Sequence, residues 1–407
     1  MIDLVIVGGG AAGFFAANEV LRIKPNASVV ILEKTGKVLA KVKISGGGRC
    51  NVTHNLLDFN ELLKNYPRGE RWLSEVFKKF SVKDTLNWFE NKGVKIKSEP
   101  DGRMFPESND SQTIIDALQK KVIGNQFELR SHSTVKSIIP QKGKFEVLLS
   151  ENEKIVAKNV LISSGGSPTG NGLDYINSMQ FEIVPPAPSL FTFNVKNHNW
   201  VDLMGLSVTK ARVRLIGTDL EFSGPVLITH WGFSGPAILK LSSFAARILQ
   251  EKEYKFNFSI DWIPDSSIEE VQNKMTNFQK ENPKKKPDQS PIFSIPKRLW
   301  ERICKESGLS GYFNWAEAGN KKIQLASQLL KGTVFKAEGK TTYKEEFVTA
   351  GGISLKEINA ETCEAKRYSG LFFAGEVMDV DGVTGGFNFQ AAWSTGFVAA
   401  TAISKRI

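Results

Sequence analysis

Ile2–Val7 is an apolar run of strand length that leads into Gly8-Gly9-Gly10-Ala11-Ala12-Gly13. A helix-like stretch, Phe14–Lys24, follows, then a second apolar run, Ser28–Leu32, that ends at Glu33. Strand, Gly-x-Gly-x-x-Gly, helix, strand and acid, in that order, predict a βαβ unit that binds a dinucleotide. Gly8 allows the tight turn, Gly10 lets a pyrophosphate approach the backbone, and Gly13 lets the helix pack close to the strand. The helix start at Ala11 and Ala12 offers unpaired N–H groups and a partial positive charge to phosphates. Glu33 is placed to accept hydrogen bonds from ribose hydroxyls.

Apolar positions at helical spacing (Trp72, Val76, Phe77, Phe80) predict helices over 57–65 and 71–91. Lys95–Glu107 reads as a hairpin turning at Asp101-Gly102. Asp110 and Ser111 read as the cap of a helix running to about Val122. Strands are predicted near 127–130, 133–139, 144–149 and 154–163, and the last ends at Ser163-Ser164-Gly165-Gly166. A strand running into small residues and glycine suits a second turn beside a nucleotide, so Ser164 and Gly165 are candidate contacts. The pattern changes at Pro185-Pro186-Ala187-Pro188. Short β-type runs follow at Leu190–Val195, Val208–Ile216, Pro225–Thr229 and Phe256–Ile260, interrupted by one helix at about 236–250. Residues 265–331 turn to helical spacing, broken by the polar loop 282–291, and Thr333–Gly339 returns to strand. From Phe347 the chain is Gly-rich and apolar, with a buried strand at Leu371–Ala374 and a closing helix at Gly385–Ile403. The expected fold class is α/β. A discontinuous Rossmann-type domain (1–188 and 345–407) would carry an inserted β-rich domain (189–263 and 332–344) and a helical subdomain (264–331).

Composition adds limits to this picture. With 407 residues the chain exceeds what one core usually serves. Three widely spaced cysteines, Cys50, Cys304 and Cys363, suggest neither a disulfide framework nor a zinc site. No apolar run is long enough to span a bilayer, and no basic stretch with a cleavable apolar segment opens the chain. The expectation is a cytoplasmic protein without a metal centre or a membrane partner. The net charge of +10 raises nucleic acid as a partner. The lysines are scattered, however, and the densest run, Lys284-Lys285-Lys286, sits in a proline-flanked loop without interleaved aromatics. A solvated lysine-rich surface is therefore favoured over nucleic-acid binding.

Further glycine-rich stretches stand out: Ser45-Gly46-Gly47-Gly48-Arg49-Cys50-Asn51, Gly351-Gly352, and Gly375-Glu376-Val377-Met378-Asp379 with Gly385-Gly386-Phe387-Asn388. With Gly8–Gly13 and Thr229–Pro236, they make the chain resemble the HI0933-like (BaiN-type) flavoproteins of the two-dinucleotide-binding-fold superfamily. The resemblance spans residue 2 to about 400. It implies bound FAD, a glutathione-reductase-like FAD-binding domain and oxidoreductase activity, and it leaves the substrate open. On the residues themselves, Lys34 and Lys41 can neutralise phosphate charge. Ser45, Gly46 and Gly47 let the backbone lie flat against a ring or phosphate, with Arg49, Cys50 and Asn51 projecting there. By analogy with the superfamily, Val135 lies on the strand whose backbone meets the adenine. Gly375-Glu376 corresponds to the pair that binds the ribityl chain, with Glu where many relatives have Asp; Asp379 and Asp381 read as loop or ribityl-side acceptors rather than metal ligands. Gly385, Gly386, Phe387 and Asn388 place the closing helix at the flavin pyrimidine edge, where its dipole would stabilise negative charge on reduction.

No Cys-x4-Cys redox pair and no second strand–Gly-x-Gly-x-x-Gly–helix unit occur. NAD(P)H is thus a candidate transient reductant without a dinucleotide fold of its own. His230, beside Trp231, and Cys50 are the acid–base or nucleophile candidates; for each, a structural role is the commoner alternative. The expected reaction is hydride transfer between FAD and a small organic substrate held in an interdomain cleft. The alternative is an RNA-associated flavoprotein that modifies or binds tRNA. The sequence leaves the oligomeric state undetermined.

Overall fold

The computed structural model describes residues 1–120, 126–150, 153–167, 171–196, 200–311, 313–341 and 348–407. They form two compact units, Met1–Pro188 with Val348–Ile407, and Ser189–Phe347.

The first unit begins β1 (Ile2–Val7), α1 (Ala11–Ile23), β2 (Val29–Leu32), α2 (Ala40–Gly48) and β3 (Thr53–His54). Then come α3 (Phe59–Leu63), α4 (Glu70–Phe77), α5 (Val82–Asn91), the hairpin β4 (Ile96–Ser98) and β5 (Arg103–Pro106), and α6 (Ser111–Gln119). The expected end of this last helix near Val122 lies outside the described residues. β6 (Phe127–Arg130), β7 (Val135–Gln141), β8 (Lys144–Leu149), β9 (Lys154–Ile162) and β10 (Ile183–Ser189) complete this stretch. β6, β2, β1 and β9 lie side by side and parallel, and β8 and β7 extend the sheet as an antiparallel meander. Inner parallel strands are covered on both faces, which is why Leu4–Val7 of β1 and all of β2 read as unbroken apolar runs instead of alternating ones. All four residues of β2 are buried.

Local chemistry sets several boundaries. α4 and α5 are separate because Ser81 and Asp84 form a capping box that starts a new helix. Asp110 caps α6 by accepting from the Gln112 N–H. Pro185–Pro188, where the sequence pattern changed, is part of a strand. It lies within β10, which pairs with β18 in a two-stranded sheet. A strand with an open edge tolerates residues that cannot donate.

In the second unit come β11 (Thr192–Asn194), β12 (Ser207–Leu215), β13 (Glu221–Thr229), β14 (Gly232–Ser234), α7 (Pro236–Phe244), α8 (Ala246–Glu251) and β15 (Lys255–Asp261). α9 (Ile268–Glu281), α10 (Lys297–Ser307), α11 (Asn320–Gly332), β16 (Thr333–Glu338) and β17 (Lys340–Thr341) follow. The one helix expected at 236–250 is two, divided at Ala245. The strand order is β16-β15-β12-β13-β14-β11-β17. β16 and β17 are successive parts of one extended stretch, so the first and last strands of this order are continuous and the sheet curls back on itself. Phe193, Phe233, Phe258 and Phe335 fill its inside, with ring centroids 4.3 to 5.6 Å apart. Small closed sheets are filled by side chains in this way. Helices α9, α10 and α11 bury Met275, Trp300 and Leu330 in the same core.

The chain then returns to the first unit through β18 (Val348–Ile353), β19 (Leu371–Phe373) and α12 (Phe387–Ser404). β19 pairs in parallel with the end of β9, Leu371↔Val160 to Phe373↔Ile162. α12 packs closely on α1: a Cβ on Gly396 would lie 3.0 Å from the Ala12 carbonyl oxygen. Among the described residues no helix is long and apolar enough to cross a membrane.

Candidate dinucleotide site

The turn after β1 is shaped by close packing at two glycines and openness at a third. Gly8 has φ +108°, and a Cβ there would lie 2.6 Å from the Ser163 carbonyl oxygen. A Cβ on Gly13 would lie 2.3 Å from the Gly8 carbonyl oxygen. At Gly10 the nearest atom would be 4.0 Å away. Gly10 is also the N-cap of α1 and provides no side-chain cap, so the first-turn N–H groups at Ala11, Ala12 and Gly13 have no capping side chain. This is an open, electropositive helix start of the kind that accepts phosphate.

Glu33 follows β2 and points back at the turn. Its Oε2 accepts from the Gly9 N–H at 3.0 Å, and its Oε1 accepts from the Thr35 N–H and hydroxyl at 2.9 Å each. Lys34 beside it is exposed. The Ser133 N–H donates to the Glu33 carbonyl at 2.8 Å, which brings Val135, the first residue of β7, to the same corner. Ser164 follows β9, with its hydroxyl 3.0 Å from the Tyr175 hydroxyl, and Gly165 takes φ +78°.

The glycine-rich stretch Ser45–Asn51 follows directly on a helix. α2 is regular to Ile44, then breaks as Ser45 turns extended and Gly46 and Gly47 turn left-handed. Gly46 is packed, with a built Cβ 2.8 Å from the Phe105 ring, whereas Gly47 and Gly48 have nothing within 4 Å. The side chains that follow are engaged elsewhere. Arg49 lies over the Phe105 ring at 3.9 Å and pairs with Glu99 at 2.6 Å. Asn51 accepts from the Met104 N–H at 3.2 Å. Burial pushes the Cys50 thiol up to about 12, so it is a protonated apolar group at neutral pH.

The third turn follows β19. The Gly375 N–H donates to the Thr395 hydroxyl at 2.9 Å. Glu376 accepts from the Thr349 N–H at 2.8 Å and pairs with Lys41 at 2.6 Å, joining α2 to the C-terminal segment. Asp379 accepts from the Gly351 N–H at 3.0 Å. The loop from Asp381 to Phe387 is then held from several sides. Buried Asp381 pairs with Arg68, and the Tyr66 hydroxyl donates to the Phe387 carbonyl at 2.8 Å. The Asn388 amide both accepts from the Gly382 N–H and donates to its carbonyl, at 2.8 Å each. His54 Nδ1 lies 3.0 Å from the Gly385 carbonyl oxygen, and its ring stacks on Phe387. Gly386, the N-cap of α12, could not carry a Cβ, which would fall 2.6 Å from the Thr53 carbonyl. Sequence reasoning did not single out His54, Tyr66 or Arg68. His54 lies three residues past the flagged Ser45–Asn51 stretch, which was the one available signal; Tyr66 and Arg68 carried none. His230 sits at the exposed β13–β14 turn of the second unit, 4.1 Å from the Trp231 ring. Among the described residues no group of three or more His, Cys, Asp or Glu side chains could hold a metal.

β1, β9 and β19 are parallel neighbours, so the turns after all three open on one edge of one sheet. Open parallel sheets bind ligands at that edge. A family model described as the HI0933-like protein Rossmann domain matches residues 2–402. The chain belongs to the HI0933-like family. As an HI0933-like protein it is an FAD-binding flavoprotein of the oxidoreductase class, and the open backbone at Gly10, Gly47 and Gly48 fits such a cofactor. Among curated relatives it is 27% identical to the 3-dehydro-bile acid delta(4,6)-reductase of Clostridium scindens, over 98% of each chain. It is 27% identical to the ribosomal RNA dihydrouridine synthase of Haemophilus influenzae, over 99% of this chain and 98% of the other. A solved 3-ketosteroid delta1-dehydrogenase from Sterolibacterium denitrificans aligns over all of this HI0933-like chain and 99% of its own, with a TM-score of 0.53 at 12% identity. At that identity the likeness shows the fold.

Proposed function

We propose that this HI0933-like protein is an FAD-dependent reductase of carbon–carbon double bonds polarised by a carbonyl, acting on a small organic substrate with NAD(P)H as reductant. The observation that carries the reading is the meeting of three glycine turns, from both ends of the chain, on one sheet edge. FAD supplies a centre that accepts a hydride from one partner and passes it to another. The chain supplies position and charge. The Gly8–Gly13 turn and the start of α1 hold the pyrophosphate, Glu33 the adenosine ribose, and Gly375-Glu376 with Asp379 the ribityl chain. The first turn of α12, at Gly386, Phe387 and Asn388, has no side-chain cap. Its N–H groups stabilise negative charge at the ring end. The two curated relatives are named for a delta(4,6)-reductase and a dihydrouridine synthase, and both names denote saturation of a ring double bond conjugated to a carbonyl.

A second reading, uracil in ribosomal RNA as the substrate, is favoured by two curated relatives, from Haemophilus influenzae and Escherichia coli, and by the net charge of +10. The test begins with purified protein mixed anaerobically with NADH or NADPH. Bleaching of the flavin band near roughly 450 nm, reversed by an α,β-unsaturated ketone, supports the small-molecule reading. A coloured protein that neither nicotinamide bleaches removes NAD(P)H from it. Colourless folded protein that takes up no FAD removes the site. Loss of dihydrouridine from ribosomal RNA on deletion of the gene, restored by its return, selects the second reading.

A further inference from the structure

His54 sits where four elements meet. It ends β3, and its Nδ1 lies 3.0 Å from the carbonyl oxygen of Gly385. A carbonyl only accepts, so Nδ1 carries the proton, and in the neutral ring Nε2 is the bare acceptor. The ring stacks on Phe387, the first residue of α12, with centroids 4.7 Å apart and planes at 22°. On its other edge it overlies Gly102 in the β4–β5 turn, where a Cβ would fall 2.4 Å from Nε2. Its position is therefore fixed by stacking, a hydrogen bond and a glycine that leaves it room. No hydrogen bond to Nε2 is found among the described residues. The charges that reach the ring come from the hairpin: Asp101 favours a proton on it and Arg103 disfavours one. Burial is the largest influence and holds the imidazole below its ordinary value, so it is neutral at pH 7.

We propose that His54 is a positioning residue of the flavin-ring end of the site, holding the Gly385–Phe387 turn through Gly385 and taking up a proton when negative charge develops there. The inference rests on the placement of FAD proposed above. A nicotinamide, or dithionite in the test, supplies the electrons. Two electrons and one proton, added to FAD as a hydride, leave one further negative charge at the ring. His54 Nε2 takes one proton from water and becomes imidazolium, which balances that charge next to the uncapped start of α12. Neither a stacked aromatic ring nor a structural amide could do this.

The experiment is ¹⁵N NMR of histidine-labelled protein, without FAD, with FAD, and with FAD reduced by dithionite. His54 is expected as the Nδ1–H tautomer at about pH 7.5 without FAD and with oxidised FAD, with its titration midpoint raised by about one pH unit or more on reduction. Two variants separate position from charge. His54→Phe keeps the stacked ring and loses the donor to Gly385, and FAD affinity is expected to fall about tenfold, the scale of one hydrogen bond. His54→Gln restores a donor, and affinity is expected to recover. Both variants should take up about half a proton fewer, or more if the midpoint moves further, than the native protein per two electrons near pH 6. An Nε2–H tautomer, a midpoint unmoved by reduction, or equal proton uptake in all three proteins overturns the proposal. Protein that binds no FAD overturns the cofactor reading instead and this inference with it, while the tautomer measured without FAD still reports the Gly385 contact.

Discussion

The first and third glycine turns lie on the same sheet edge and are secured by different means. The Gly8–Gly13 turn is held mostly by backbone on backbone, Gly8 against Ser163 and Gly13 against Gly8, while Gly9 meets the side chains of Val38 and Glu33. The third turn runs on into the Asp381–Phe387 loop, which is held mostly by side chains from more than 300 residues away, namely His54, Tyr66 and Arg68. The first is a local solution that short-range sterics dictate. The second exists only once the chain has folded back on itself, and so it is the one that a change elsewhere can reshape.

The largest effect that would break this comparison is at Arg68. Arg68→Met leaves Asp381 buried without its guanidinium, and unfolding in urea should report a loss of about 3–5 kcal/mol. A loss no larger than that of an exposed ion pair would mean that the third turn does not depend on its remote anchor. Next comes Gly13→Ala, whose added methyl has no space beside the Gly8 carbonyl; about 1–3 kcal/mol is expected in the same assay. Gly47→Ala sharpens the contrast, because nothing lies within 4 Å of its Cβ and only the φ of +70° opposes it. About 1 kcal/mol of stability should be lost, yet FAD uptake measured by flavin fluorescence should fall more than in a variant of equal stability elsewhere.

The smallest effect is the pH dependence contributed by His54. Its pKa is lowered in the folded state, chiefly by burial, so the unfolded chain binds the proton more readily. The stabilisation is complete above the ordinary histidine value of about 6.5 and declines as pH falls below it. Thermal melting from about pH 7.5 to 5 should show a shallower decline for His54→Gln than for the native protein. Equal slopes would show that the folded imidazole titrates like a free one.

Much of the architecture was readable because it obeys local rules. Apolar runs marked Leu4–Val7 of β1, β2 and the end of β9, which are covered on both faces. Asp101-Gly102 marked the β4–β5 hairpin, and Asp110 the start of α6. What misled was also local. The change of pattern at 185–188 carried no sign that these four residues, three of them proline, lie in a paired strand, since proline's missing donor costs nothing on an open edge. Glycine clustering at 45–48 concealed that α2 runs to Ile44 before it breaks. Arg49, read as projecting toward a ligand, is turned onto Phe105 and Glu99, and no spacing along the chain announces a partner 50 residues away.

By itself, the amino-acid sequence determined where the chain turns tightly at glycine, which runs are buried, and that the first βαβ unit leaves a helix start open. Those features follow from steric and hydrogen-bonding limits acting over a few residues. Only the tertiary structure decided which turns share an edge, that Lys41 faces Glu376, and that His54, Tyr66 and Arg68 anchor the start of the last helix. The parallel pairing of β19 with β9 imposes that arrangement, because it brings the C-terminal segment beside strands laid down at the other end of the chain.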